Sequence, residues 1–170
     1  MENTLEEAPV ILLVTALDEE EILFKTVRAK VRVDSVLKGS GASEGDIIYP
    51  NRDGDAVHLN VEGDAYRFRD TGFVHPMRAG YTYLVFLEGM IDPVPGLKSE
   101  YPVYRFLQTV IKPQFCLTDF ENAVIPLDSN SYDTYVEYTS LKNNEFFAAS
   151  DRAMQAMLDM KAAVLDKFLP

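Results

Sequence analysis

Apolar and charged residues alternate without a break within the first quarter of the chain. Val27, Ala29, Val31 and Val33 are interleaved with Arg28, Lys30, Arg32 and Asp34. Successive side chains on a strand point to opposite faces, so 25–39 reads as one long strand, apolar inward and charged outward. Upstream, the apolar run 10–17 (VILLVTAL) reads as a largely buried first strand, joined to the long one by the acidic turn 18–21. The glycine-rich stretch 39–45 is a flexible loop, 46–49 a short strand stopped by Pro50, and 57–61 another strand after an Asp53-Gly54 turn signal. Residues 62–80 lack a clear period. The run 81–87 (YTYLVFL) is apolar on both faces from Tyr83 onward, which fits a strand covered on both sides. Strands are expected at 103–111 and 115–118, with a return at 123–127. The tyrosine- and asparagine-rich stretch 129–149, with Tyr132, Tyr135 and Tyr138, carries no assignable period. Beyond it, Ser150 or Asp151 suits a helix N-cap. Met154, Met157, Leu158, Val164, Leu165 and Phe168 then form a helical stripe, with Asp159, Lys161, Asp166 and Lys167 toward water.

Many strands followed by one helix predict a mainly β fold, an OB-like closed or partly open β-barrel with a C-terminal α-helix packed against it. A chain of 170 residues fits a single domain. Within it, 9–128 forms the barrel, 129–149 an irregular connection and 150–169 the helix. The formal net charge of -11 opposes general binding to nucleic acid or anionic membranes, because phosphate meets a repulsive far field. Cys116 is the sole cysteine, so an internal disulfide and a cysteine-based zinc site are excluded. No apolar run has the length to span a bilayer. Glu2, Glu6 and Glu7 stand where a signal peptide would carry positive charge, so no signal peptide is expected.

Four segments carry a likeness in order: Val36-Leu37-Lys38-Gly39, Gly45-Asp46-Ile47-Ile48, 80–87 (GYTYLVFL) and 115–126 (FCLTDFENAVIP). Over roughly 9–128 the chain resembles small bacterial OB-like barrel proteins similar to the N-terminal domain of tissue inhibitors of metalloproteinases. The resemblance implies a fold and leans toward an extracytoplasmic location. The inhibitors' zinc-chelating N-terminal cysteine has no counterpart here, so that mechanism is not implied.

The candidate chemistry is thin. Gly41-Ala42-Ser43-Glu44-Gly45 matches the nucleophile-elbow pattern, but a strand rather than a helix follows, so a small hydrolase using Ser43 is only an alternative. Ser35-Val36-Leu37-Lys38 matches a serine–lysine pattern whose side chains need a helix to share a face. Asn51, Asp53, Asp55 and Glu62 match positions of a calcium loop, yet Ala56 replaces its turn glycine, and no metal is assigned. His58 and His75 are too few for a zinc site. The basic row Lys25, Arg28, Lys30, Arg32 and Lys38 offers an alternative role in single-strand nucleic-acid binding. With no cofactor implied, the leading expectation is a non-catalytic binding module with a protein partner. Its surface would comprise Arg67, Arg69, Phe73, His75 and Arg78, which mix cations with aromatics as interface anchors do.

Overall fold

Strand β1 (Val10–Ala16) has neighbours on both edges, the antiparallel strands β4 (Val31–Lys38) and β8 (Thr82–Ile91). Val10, Leu12, Val14 and Ala16 face one core and Ile11 faces a second. In the computed structural model, residues 2–19, 21–23, 26–53, 56–61, 64–69, 73–91, 99–125 and 141–169 are described, with backbone only at 2–3, 21–23, 26–27, 52–53, 56–61 and 64–69. The expectations for 70–72, 92–98 and 126–140, including Tyr132, Tyr135 and Tyr138, lie outside the described residues.

From β4 the sheet passes to β5 (Ile47–Asp53), which pairs in parallel with β9 (Val103–Phe106). Strand β9 returns antiparallel to β8, so β1, β4, β5, β9 and β8 close a ring. The protein is thus mainly β, a partly open barrel with a helix at its C-terminal end. Short strands extend the ring: β2 (Glu21–Leu23) and β3 (Thr26–Arg28) beside β5, and β10 (Gln114–Cys116) beside β8. Strands β6 (Ala56–Val61) and β7 (Asp64–Arg69) form a separate hairpin where the sequence shows a strand and then an irregular stretch.

The long alternating strand is present, but it breaks in name at residues 29–30. Arg28 pairs with Asn51 and Val31 with Ile48, which is one continuous register along β5. At the break Ala29 N–H donates to the Pro50 carbonyl at 3.3 Å, and Pro50 has no N–H to return. Pro50 does not stop the strand, contrary to expectation. Its missing donor falls on the Ala29 side, while Tyr49 N–H still donates to Pro102 O at 2.9 Å toward β9. One ladder bond is lost and the strand runs on to Asp53. Strand β9, expected to reach 111, ends at Phe106, and no strand forms at 121–125.

The ring interior is filled by the inward rows of β1, β4 and β8 with Tyr104, Phe106 and Met77. The second core lies outside β1 and β8, where Ile11, Leu84, Phe86 and Phe115 meet helix α2 (Asp151–Phe168). Phe86 packs edge-on against Phe115 at 6.0 Å and Phe168 at 5.1 Å. Strand β8 is therefore covered on both faces, as its sequence requires. Ser150 caps α2, its side chain accepting from Ala153 N–H at 3.2 Å. The short helix α1 (Glu2–Glu6) adds Leu5 to the second core, and Glu6 is held by Lys38 at its carbonyl and by Lys167 at its carboxylate. Among the described residues no helix is long and apolar enough to cross a membrane.

Gly39 has φ 94, and a Cβ there would lie 2.4 Å from the Pro9 carbonyl oxygen. Gly45 has φ 89 with nothing within 4 Å of such a Cβ. Gly45→Ala is expected to cost about 1 kcal/mol, the backbone penalty alone. Gly39→Ala should cost more, about 3 kcal/mol. Urea denaturation of both variants measures the difference, and equal losses would remove the steric account.

Candidate interaction site

Residues 73–78 run beside 145–147 and hold three of the expected surface residues. Phe147 N–H donates to Phe73 O at 2.9 Å and His75 N–H to Glu145 O at 2.7 Å, with a bridge between Val74 and Phe146. Phe73 sits at φ 63 with 53% of its surface exposed. A left-handed backbone costs a residue with a Cβ about 1–2 kcal/mol, and a ring left about half in water offsets only part of that. His75 is half-buried, its Nδ1 donating to Pro76 O at 2.8 Å and its ring 5.9 Å from Phe147. Arg78 works as a staple: one guanidinium nitrogen donates to Lys142 O and Asn144 O, each at 2.6 Å. The same guanidinium lies 4.2 Å above the Phe120 ring, which is 5.4 Å from that of Tyr81. Arg67 and Arg69 belong to β7, opposite His58 and Ala56; their side chains lie outside the described part.

Residues 141–148 make few ladder bonds, and side chains supply the rest. Asn144 accepts from Ala123 N–H at 3.0 Å and donates to Ala123 O at 2.7 Å, while Asn122 accepts from Glu145 and Phe146 N–H. At the centre is an ion pair that sequence reasoning missed. Lys161, expected to face water, is 3% exposed and donates to Glu145 Oε2 at 2.7 Å, Asp119 Oδ1 at 3.0 Å and Thr118 O at 3.1 Å. Glu145 Oε1 accepts from Cys116 N–H at 2.8 Å. The signal was present in the spacing: positions 154, 157, 161, 164 and 168 fall on one helical face. Position outweighed charge.

Burial lifts the Glu145 carboxyl above its ordinary range, against the pull of Lys161 and of Cys116 N–H. Burial alone would lower Lys161, but Glu145 and Asp119 together outweigh it and the net shift is upward. Burial also raises Cys116, and it raises Tyr83 strongly.

The other candidates lie apart. Ser43 is exposed in the loop between β4 and β5, where its N–H donates to Asp46 Oδ2 at 2.8 Å. Asn51 and Asp53 are ladder residues of β5, and Asp55 and Glu62 lie outside the described residues. Among the described residues no group of three or more His, Cys, Asp or Glu is placed to hold a metal.

On the outer face of the ring the basic row is ordered over tyrosines. Arg28 lies 4.2 Å from the Tyr49 ring centre and Lys30 4.9 Å from that of Tyr101, and the two rings meet edge-on at 5.6 Å. Arg28 also stands across the ladder from Glu21, and Arg32 pairs with Asp34 at 2.9 Å. Lys25 lies outside the described residues.

No family model, curated protein or solved structure matches this chain.

Lys161→Met is expected to cost about 3–5 kcal/mol, because it strands a buried carboxylate. Glu145→Leu combined with Lys161→Met should recover most of that loss in a denaturation cycle; an additive double variant would show the two groups uncoupled. A pH dependence follows from the same cluster. Cys116, Tyr83 and Lys161 are all raised, from ordinary values of 9.0, 10.0 and 10.5, so the folded chain keeps protons the unfolded chain has released. Their stabilisation is complete below the unfolded values and is lost as pH climbs through the folded ones. The melting temperature should fall between about pH 9 and about pH 11, and Tyr83→Phe should flatten that fall.

Proposed function

We propose that this chain is a non-catalytic protein-interaction module built on an OB-like barrel, with Phe73 as an anchor of its binding surface. The exposed, left-handed Phe73 is the observation that carries the reading. A residue strained in its backbone, with about half of its ring left in water, is explained by a partner that covers the remainder. Arg78 and the amides of Asn122 and Asn144 make the underlying segment rigid, which lowers the entropy lost on docking.

The OB-like reading is supported by the ring order. In chain order the five ring strands are β1, β4, β5, β8 and β9, and the third and fifth of them pair in parallel to complete the circuit. The likeness to metalloproteinase inhibitors is proposed for the fold alone. Cys116 is fully buried, so chelation by a cysteine forms no part of the proposal. A hydrolase is disfavoured because Ser43 has Asp46 beside it in an exposed turn.

Phe73→Gly separates function from structure. It should leave stability near the parent's, because relief of the backbone, about 1–2 kcal/mol, offsets the lost cover of a half-buried ring. A photo-crosslinking aromatic at position 73 should capture a protein that the same group at exposed Glu121 does not. A loss of stability in Phe73→Gly would make the ring structural, and equal capture at both positions would sink the docking role.

A further inference from the structure

The backbone that carries Phe73 is tied through Glu145 to helix α2. Phe147 N–H donates to Phe73 O at 2.9 Å, Val74 bridges Phe146, and His75 N–H donates to Glu145 O at 2.7 Å. Residues 73–75 and 145–147 are thus one short antiparallel ribbon, with Phe73 at one end and Glu145 at the other. The Glu145 side chain fixes that second end. Its Oε1 accepts from Cys116 N–H at 2.8 Å and its Oε2 from Lys161 Nζ at 2.7 Å, with both charged side chains buried.

The ribbon is too short to hold itself, because a lone pair of strands is marginal in water. Val74 and Phe146 bury their side chains in the second core, but apolar packing has no direction. Asn122 accepts from Glu145 and Phe146 N–H, and Arg78 holds the carbonyls of Lys142 and Asn144, so these bonds tie the ribbon to nearby loops. The Glu145 carboxylate bonds it to strand β10 and helix α2 at once, at the residue whose carbonyl also carries His75. Phe73 needs that constraint. Its φ of 63 is a conformation that persists only where the surroundings over-determine it, so a loosened ribbon lets the backbone relax and swings the ring away.

We infer that Lys161 is a positioning residue for the Phe73 surface: by holding Glu145 it keeps the ribbon closed and the ring presented on its left-handed backbone. The inference rests on the reading of Phe73 as the anchor of a binding surface, and it adds a coupling to that reading. A partner that covers the ring and the docking of α2 on the sheet stabilise one another by the same factor, and undocking of α2 withdraws the anchor.

The test places 4-trifluoromethylphenylalanine at position 73 of the full chain, which keeps an aromatic ring there and adds one fluorine NMR signal. Lys161→Met is expected to displace or split that signal. Gly39→Ala, whose cost falls at Pro9 in the barrel, should leave it in place, so lost stability alone does not move the ring. Glu145→Leu/Lys161→Met should recover stability yet keep the displaced signal, because leucine accepts from neither partner. Hydrogen exchange in the unaltered chain needs no folded variant: the amides of His75 and Phe147 should exchange in the same opening as those of α2. An unmoved signal in Lys161→Met, a signal restored in the double variant, or ribbon amides that exchange independently of α2 would overturn the inference. The signal is read without a partner, so a displaced signal with no capture at position 73 sinks the docking role alone, and capture with an unmoved signal sinks the positioning role alone.

Discussion

The buried contact between Lys161 and Glu145 is where the parts of the molecule outside the barrel ladder are tied together. Helix α2 brings the ammonium, residues 141–148 bring the carboxylate, and the end of β10 brings Cys116 N–H and Thr118 O. Neither the helix nor the 141–148 segment is positioned by extended strand pairing. Apolar contact in the second core holds α2 against the sheet without directional bonds, and packing alone leaves sliding inexpensive. An ammonium with three oxygen acceptors at fixed places allows one register. A methionine at 161 would fill similar volume and leave Thr118 O and Glu145 without their donor, so the cost of breaking the pair falls on its neighbours.

The two-faced strands set the rest. Strands β1 and β8 are apolar on both sides because the ring lies on one and the helix on the other, and the core residues follow that geometry. Strand β4 lies beside β1 in the ring, and its outward row carries Arg32 and Asp34, which pair with each other. The basic row is at the one place on the barrel strands where the sequence keeps strict alternation.

That alternation is also why so much of the fold was legible. Period two at 27–34 marked the strand and its two faces, the dense run at 81–87 marked two-sided burial, and the stripe after Ser150 marked the helix. The errors have physical causes. Pro50 looks like a stop in the sequence, but a proline ends a ladder only on the edge its N–H would face, and here the parallel edge toward β9 is intact. Lys161 was assigned by charge although its spacing belongs to Met154, Met157 and Val164. Strand β7 alternates Tyr66 and Phe68 with Arg67 and Arg69, a pattern of period two hidden in a stretch taken as irregular. Residues 141–148 were illegible for a deeper reason. Their backbone is satisfied by Asn122, Asn144 and Arg78, long-range side-chain bonds that follow no period in sequence.

The same bonds sort the cations into two kinds. Lys38, Arg78 and Lys161 each donate to backbone carbonyls, at Glu6, at Lys142 and Asn144, and at Thr118. Those charges complete the fold, and an external anion would have to displace a carbonyl whose desolvation is already settled. Arg28 and Lys30 lie over the rings of Tyr49 and Tyr101, and Arg28 stands across the ladder from Glu21, so their charges too are met within the sheet. Phe73 belongs to neither kind, an aromatic ring about half exposed on a left-handed backbone that its Cβ strains.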